Sequence, residues 1–582
     1  MGHHALDPNK IVNVTIDGIP VSCPETTLIL EAAKMAGIDI PVLCYHPDLK
    51  VRATCRICIV AVKGQKKFKT ACSNEVWDGA EIITNSPAVQ QARKDILELI
   101  LAEHPQECLK CVRNTNCELQ KLAKDFRFDK PLFENQPKKL PVDDSNDVIV
   151  RDMSKCVKCG RCVEVCQNVQ TVGAINTAHR SIEYNITTAF DRSLQDANCV
   201  YCGQCISVCP VGALYEKDET DKVWQALADA DKHAVVQVAP AVRVALGEEF
   251  GLGSGSVATG KIVAALRWLG FDRVFDTDFA ADVTIMEEGS ELLERMGKGG
   301  VLPLITSCSP GWINFIETFY PELLPNVSSC KSPQQMFGAL AKTYYSQKSG
   351  IDPSKIFSVS IMPCTAKKYE SARPEMNSSG YRDVDVVLTT RELARMIKQS
   401  GFDFNKLADE EFDAPMGAST GAAVIFGTSG GVMEAALRTV CEFVTGKVLD
   451  NVEFEGVRGM SGIKEAEVDL EGTKIKIAIA NGLKNARKIL DNIKTGKCEY
   501  KFVEIMCCPG GCIGGGGQPW GTTKTTKEAR LAGLYRADRD LPIRQSHKNP
   551  AVTELYETFL GKPLGHKSHE LLHTHYCPRG KK

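Results

Sequence analysis

Near the start of the chain, Val12, Val14 and Ile16 alternate with Asn13, Thr15 and Asp17, the period-two pattern of a strand with one buried face. A helical stretch is predicted from Thr26 to Met35, and a second from Val89 to Ala102. A segment rich in Pro, Asp and Asn, Asn135 to Asp147, reads as a linker. From about Glu219 the pattern changes to strands alternating with helices. Val235 to Val238 and Ile356 to Ile361 predict buried strands. Ile262 to Leu269 predicts an amphipathic helix, and Gly430-Gly431 opens another that runs to Val440. That alternation predicts an α/β region with parallel strands.

A chain of 582 residues suggests about three to five domains, with ample core. Its 70 basic and 72 acidic residues nearly cancel, so the balance gives no argument for nucleic acid or an anionic membrane as partner. No apolar run approaches the roughly 20 residues of a membrane span, and Met1 to Lys10 lacks the apolar core of a signal peptide. A soluble, cytoplasmic protein is expected. The composition that changes the picture is 25 cysteines. In a reducing compartment, cysteines in tight clusters read as metal ligands or redox groups rather than disulfides.

Sixteen of the cysteines lie in the first 209 residues, in four blocks apart from Cys23, which reads as packing. Cys44, Cys55, Cys58 and Cys72 can chelate a two-iron, two-sulfur cluster, with a four-cysteine zinc site as the plainer alternative. His104, Cys108, Cys111 and Cys117 suit either zinc or a four-iron cubane; their place between other cluster blocks favours electron transfer. The last two blocks repeat each other: Cys156-x2-Cys159-x2-Cys162-x3-Cys166 recurs as Cys199-x2-Cys202-x2-Cys205-x3-Cys209, with Gly160 and Gly203 in step. This is the bacterial ferredoxin run, in which three thiolates hold one cubane and the fourth reaches the other. It predicts one set of Cys156, Cys159, Cys162 and Cys209, and a second of Cys199, Cys202, Cys205 and Cys166. Pro210 follows the second run; Gln167 stands in its place in the first. Four sites in succession imply a wire with a reaction at its end.

Two phosphate-binding look-alikes do not hold up. Gly255-x4-Gly260-Lys261 has Ile262 where a hydroxyl must meet magnesium, and Gly514 to Gly517 lacks the strand, helix and acidic partner of a dinucleotide fingerprint. Three other segments carry the remaining chemistry: Thr306-Ser307-Cys308-Ser309-Pro310-Gly311-Trp312, Met362-Pro363-Cys364-Thr365-Ala366-Lys367-Lys368-Tyr369-Glu370, and Glu504 to Cys512 with the glycine run after it. They resemble the three signature segments of FeFe (iron-only) hydrogenases. The order of the N-terminal blocks is similar to that of the long clostridial-type members, so the resemblance spans essentially the whole chain.

The resemblance implies a multidomain protein of α+β and α/β type, with N-terminal ferredoxin-like iron-sulfur domains followed by an α/β catalytic domain. The expected divisions are 1–86 for a β-grasp 2Fe-2S domain, 87–135 for a 4Fe-4S domain ligated by one histidine and three cysteines, 136–218 for a two-cluster ferredoxin and 219–582 for the catalytic domain. It also implies an H-cluster: a 4Fe-4S cubane joined to a two-iron unit carrying carbon monoxide, cyanide and a dithiolate amine, alongside one 2Fe-2S and three accessory 4Fe-4S clusters. Carried over residue by residue, Cys364, Cys508 and Cys512 hold the cubane, Cys512 bridges to the two-iron unit, and Lys367 donates to a cyanide. Met362, Met506 and Phe426 line the pocket, while Ala239, Pro240 and Gln334 contact diatomic ligands; Ala241 stands where some relatives carry serine. The implied proton relay runs from Cys308 through Glu288, Ser328 and Glu291 to Arg295.

One position departs from the family pattern. Where members commonly have a second adjacent cysteine, the fourth cubane ligand, this chain has Ser309. Three readings stay open: Ser309 ligates as an alkoxide, Cys308 ligates at the expense of the relay, or Cys507 shifts the coordination. The working reading keeps Cys308 as relay and Ser309 as a weak ligand. Cys330, Cys441, Cys498 and Cys577 have no metal spacing and read as buried small side chains, and the histidines from His566 to His575 read as a solvated or packing tail. The implied activity is reversible interconversion of dihydrogen with protons and electrons, the electrons passing to ferredoxin or to NAD-binding and iron-sulfur partner subunits, with maturation proteins installing the two-iron unit. The alternative is a hydrogen-sensing or regulatory protein of low turnover.

Overall fold

The computed structural model describes residues 7–128, 133–449, 451–470 and 473–581. Its first unit is a five-stranded sheet, ordered Ile19–Pro24, Ile11–Ile16, Glu81–Ile83, Ile59–Val62, Lys69–Thr70. The first hairpin turns on Asp17-Gly18, both at positive φ, as a two-residue turn compatible with strand twist requires. Helix Ile29–Met35 lays Ile29, Leu30, Ala32 and Ala33 on this sheet, where Val12, Val14 and Ile16 also point inward. Cys23 is buried in the same core. The helix predicted from Val89 spans Pro87–Glu103, with Ser86 Oγ accepting from Val89 N and Pro87 in the first turn. The linker is docked: Asn135 Nδ2 donates to the carbonyls of Leu101, Ala102 and His104 and satisfies that helix's C-terminus.

The internal repeat is a repeat of backbone as well. Lys158-Cys159-Gly160 and Tyr201-Cys202-Gly203 both turn through positive φ at their outer residues, and each glycine precedes a short helix, Arg161–Glu164 or Gln204–Ser207. Strands Ile149–Arg151 and Leu214–Glu216 pair antiparallel and close the unit.

Two sheets carry the larger C-terminal region. One is wholly parallel, in the order Arg273–Asp276, His233–Val238, Ile356–Met362, Val386–Thr389. The other runs Leu304–Ile305, Tyr500–Met506, Thr473–Asn481, Ile463–Leu470, and only its last strand is antiparallel. The residues after Val238, Ile305, Met362 and Met506 are Ala239-Pro240, Thr306 to Ser309, Pro363-Cys364 and Cys507-Cys508. All of these segments therefore leave the carboxyl ends of parallel strands, where open α/β sheets place their ligands. Gly255 is pressed against the Ala529 backbone and Lys261 Nζ donates to Leu407 O at 2.6 Å, so the P-loop look-alike is a structural helix start.

The cluster blocks are stitched together in a fork rather than a line. Both N-terminal blocks dock at the predicted ligand set of Cys156, Cys159, Cys162 and Cys209: Arg161 Nη2 donates to Tyr45 O at 2.7 Å and Thr54 Oγ1 to Cys159 O at 3.2 Å, while Arg113 Nη1 donates to Cys209 O at 2.8 Å. The second ferredoxin run faces the C-terminal region. Thr365 Oγ1 donates to Tyr201 O at 2.8 Å and Gln204 Nε2 to Gly514 O at 2.8 Å. A Cβ on Gly203 would run into the Thr365 side chain and the Gly516 backbone. Gly203→Ala therefore adds left-handed strain of about 1–2 kcal/mol to a collision at this junction. Rapid-mixing spectroscopy should show slower electron passage from the N-terminal blocks to the C-terminal site.

Candidate active site

Cys308, Cys364, Cys508 and Cys512 come from three separate segments and meet where the two sheet ends face each other. Cys364 packs on the ferredoxin core, Cys508 belongs to the core that also holds Trp312, and Cys512 packs on the small core of Ala241 and Leu534. Cys308, Cys364 and Cys512 are set deep in the molecule yet only partly covered, so their free faces open onto an internal hollow. Burial, and then the neighbouring Cys508, pushes the Cys512 thiol up to about 12; burial followed by Cys508 and Cys512 raises that of Cys364. Thiols crowded this way in a dry site are held apart from an ordinary ionisation and call for a metal that takes them as thiolates. The glycines do what their lack of side chains allows: a Cβ on Gly511 would lie 2.7 Å from the Thr428 and Ser429 backbone. The donor set and the hollow fit an iron-sulfur group.

Lys367, on helix Ala366–Ser371, donates forward across one turn to Glu370 Oε2 at 2.8 Å and to Cys308 O at 3.1 Å. Its anionic partner within the protein is thus Glu370, whose carboxylate also accepts from Ser332 Oγ at 2.9 Å and Gln334 Nε2 at 3.1 Å. Sequence reasoning gave Glu370 no role; its i,i+3 spacing from Lys367 was the available signal. Gln334 Oε1 is buried without a hydrogen-bond partner among the described residues. Phe426 and Met506 are buried in the cluster that Cys308 packs against, whereas Ala239 and Met362 belong to the core of the wholly parallel sheet. Pro240 and Ala241 are buried in the short turn that follows.

Helix Thr277–Lys298 carries Glu288, Glu291 and Arg295 on one face. Arg295 Nη2 donates to Glu291 Oε1 at 2.6 Å, and Ser328 Oγ to Glu291 Oε2 at 2.7 Å. Glu288 is buried, faces Ser328 and Ser307, and keeps Oε1 without a partner among the described residues. Burial, then the nearby Glu291 charge, raises its carboxyl to about 8. Burial and the Glu288 charge likewise raise the Cys308 thiol. The five groups form a file from the hollow to the surface-proximal guanidinium.

Two residues read as bland turn out to touch this file. Cys330 Sγ lies 3.8 Å from Glu291 Oε2 and 4.0 Å from His573 Nδ1, and Glu291, Cys330 and His573 bring ligand atoms within 4.8 Å of one another. His573 is buried, bonded through Nε2 to Glu287 Oε2 at 3.1 Å, and its i−4 neighbour His569 stacks on it with ring centroids 4.6 Å apart. Long-range folding alone brings the C-terminal tail here. Cys441 is buried as expected, but Cys577 is exposed, because the tail residues around it lie on the surface.

The accessory blocks also gather their thiols, some buried and some partly covered. Cys44 contacts Cys55 and Cys72, and Cys58 contacts Cys72. His104, Cys108, Cys111 and Cys117 line one small hollow with Gly212, where a Cβ would lie 2.5 Å from Cys111 Sγ; His104 Nδ1 is buried without a partner among the described residues. Cys156, Cys166, Cys199 and Cys202 are all deep but incompletely covered.

Comparison with known proteins agrees with this arrangement. Residues 232–516 match the family described as iron only hydrogenase large subunit, C-terminal domain, and residues 524–579 match iron hydrogenase small subunit. Upstream, residues 9–87 match a 2Fe-2S iron-sulfur cluster binding domain, 93–131 the NADH-ubiquinone oxidoreductase-G iron-sulfur binding region and 155–213 a 4Fe-4S dicluster domain. The NADP-reducing hydrogenase subunit HndD of Solidesulfovibrio fructosivorans is 50% identical, covering 98% of this chain and 99% of its own. Iron hydrogenase 1 of Clostridium pasteurianum is 44% identical over 97% and 99%. Among solved structures, a variant of the FeFe-hydrogenase HydA1 from Chlamydomonas reinhardtii superposes with a TM-score of 0.57 at 45% identity, covering 62% of this chain and all of that one. With signature cysteines gathered at the sheet ends, iron-sulfur domains docked in front of them and relatives matched from end to end, the chain belongs to the FeFe (iron-only) hydrogenase family and is an iron-sulfur oxidoreductase acting on dihydrogen.

Proposed function

We propose that this hydrogenase carries an H-cluster on Cys364, Cys508 and Cys512, one 2Fe-2S cluster on Cys44, Cys55, Cys58 and Cys72, and three accessory 4Fe-4S clusters. Those three are held by His104 with Cys108, Cys111 and Cys117, and by the two interleaved ferredoxin sets. The observation that carries the reading is the convergence of Cys364, Cys508 and Cys512 on one hollow beside Lys367, at the carboxyl ends of parallel strands. When bound, the catalytic group, with its carbon monoxide, cyanide and dithiolate-amine ligands, supplies the redox chemistry that makes and splits dihydrogen. The chain's own residues handle everything else. Lys367 presents a positive charge to the hollow and Gln334 a free amide oxygen, while Met362, Met506 and Phe426 keep water away.

Cys308 exchanges a proton at the edge of the hollow with Glu288, which the raised pKa keeps protonated near neutrality, so that Glu288 releases its own proton toward Ser328 as it takes one from Cys308, or donates to Cys308 and is reprotonated from Ser328 in the reverse direction. Ser328 carries the proton to Glu291, and Arg295 holds that carboxylate oriented near the surface. Electrons move along the fork, through the second ferredoxin set that Thr365 and Gln204 hold against the catalytic segments. A cytoplasmic setting agrees with the free thiols, and no helix among the described residues is long and apolar enough to cross a membrane. The partners that fit are ferredoxin and, since one similar protein is named as a subunit of an NADP-reducing hydrogenase, a nucleotide-binding companion chain.

The test is dihydrogen evolution from a reduced dye under strict anaerobiosis. Rapid evolution after maturation, absent before it, is the expected result; none despite full iron loading would overturn the reading. Cys308→Ala should lower turnover by about 10²- to 10⁴-fold with iron content unchanged, as expected for loss of a positioned proton donor.

A further inference from the structure

We propose that Cys507 supplies the fourth thiolate of the catalytic cubane, the place that Ser309 leaves open. The inference rests on the assignment of Cys364, Cys508 and Cys512 to that cubane. Each iron of a cubane takes one outside ligand, ordinarily a cysteine thiolate, and those three cysteines leave one iron without its thiolate, whereas the adjoining accessory set of Cys166, Cys199, Cys202 and Cys205 has four. Cys507 is the thiol that closes the count.

Three observations place it. First, Ser309 and Cys507 are neighbours: Ser309 Oγ accepts from Cys507 N at 3.2 Å, so a thiol on either residue starts from the same corner. The serine oxygen is thereby engaged with backbone, and a hydroxyl would in any case have to ionise far above the working pH to become a strong iron ligand. Second, room for the sulfur is built in. A Cβ on Gly311 would lie 2.8 Å from Cys507 Sγ, so the helix opening at Pro310 accepts the thiol only because Gly311 has no side chain. Third, the residue is pinned. Its carbonyl accepts from Gln170 Nε2 at 3.0 Å, and Gln170 Oε1 in turn accepts from Leu483 N at 3.0 Å. The side chain is buried, with the thiols of Cys508 and Cys202 against it and Gln170 Nε2 at 4.0 Å from its sulfur. On cluster insertion the Cys507 thiol gives up its proton to solvent and forms an iron–sulfur bond; no electron is gained or lost. Cys308 is left free as a proton carrier.

The experiment uses the full chain produced without the two-iron unit, measuring iron per chain and the EPR spectrum of the dithionite-reduced protein. Cys507→Ala should lose about four irons per chain, or keep them with changed cubane g-values if a substitute ligand enters, while Ser309→Ala leaves iron and spectrum unchanged. The double variant S309C/C507A should regain the lost iron, which separates ligation from misfolding, and the 2Fe-2S signal reports on the N-terminal fold in each sample. Cys507→Ala with full iron and the parent spectrum would overturn the proposal, as would loss of a cubane in Ser309→Ala. Activity is a separate readout. A matured parent that evolves no dihydrogen sinks the functional reading even if Cys507→Ala loses its cubane, whereas an active parent with an unaltered Cys507→Ala spectrum sinks only the ligand.

Discussion

Glu288→Gln is expected to lower dihydrogen turnover by about 10²- to 10⁴-fold while leaving every cluster in place. The amide fills the same buried space on helix Thr277–Lys298 but cannot alternate between accepting and donating a proton. Anaerobic turnover assays beside iron analysis decide it, and retained turnover would move the proton route away from this carboxyl. The same residue sets a pH signature. Its carboxyl is raised from 4.5 to about 8, first by burial and then by Glu291. Between those values the folded chain holds a proton that the unfolded chain releases, so this group's contribution to stability is full below about 4.5 and is lost as pH rises through about 8. Thermal melts across that window should show the slope in the parent and a flatter response in Glu288→Gln. Turnover that depends on proton donation by Glu288 should likewise fall as pH passes 8.

Lys367→Met carries the second large effect. It removes the cation that Glu370 holds at 2.8 Å, and both side chains are almost fully buried. Ser332 Oγ and Gln334 Nε2 remain to satisfy the carboxylate, but its charge is left without a counter-charge. Breaking a buried pair in this way costs about 3–5 kcal/mol. The expected outcome is a lower melting temperature before cluster loading, together with loss of dihydrogen evolution after maturation. Replacing both members, as K367M/E370Q, should recover most of the melting temperature but not the turnover. Recovery of turnover in the double variant would show that the lysine acts only through its ion pair.

The sequence by itself determined which cysteines group by spacing wherever they lie close along the chain. Cys156 to Cys166 and Cys199 to Cys209 are spaced by the size of a cubane, and the alternation at Val12, Val14 and Ile16 or the run at Val235 to Val238 follows from burying one or both faces of a strand. The catalytic segments were legible through their resemblance to a family, since nothing in local spacing joins Cys308 to Cys364 or Cys508. Tertiary structure alone decided what depends on contacts between residues hundreds of positions apart. It made the wire a fork, because Tyr45 and Arg113 both dock beside the one predicted ligand set of Cys156, Cys159, Cys162 and Cys209. It turned Cys330 and His573 from tail and filler into neighbours of Glu291, and it gave Lys367 a carboxylate in Glu370. It also set Cys507 beside Ser309, 198 residues away. A ligand's chemistry is written in its side chain, but whether it reaches a metal is fixed only when separate strands end at the same place.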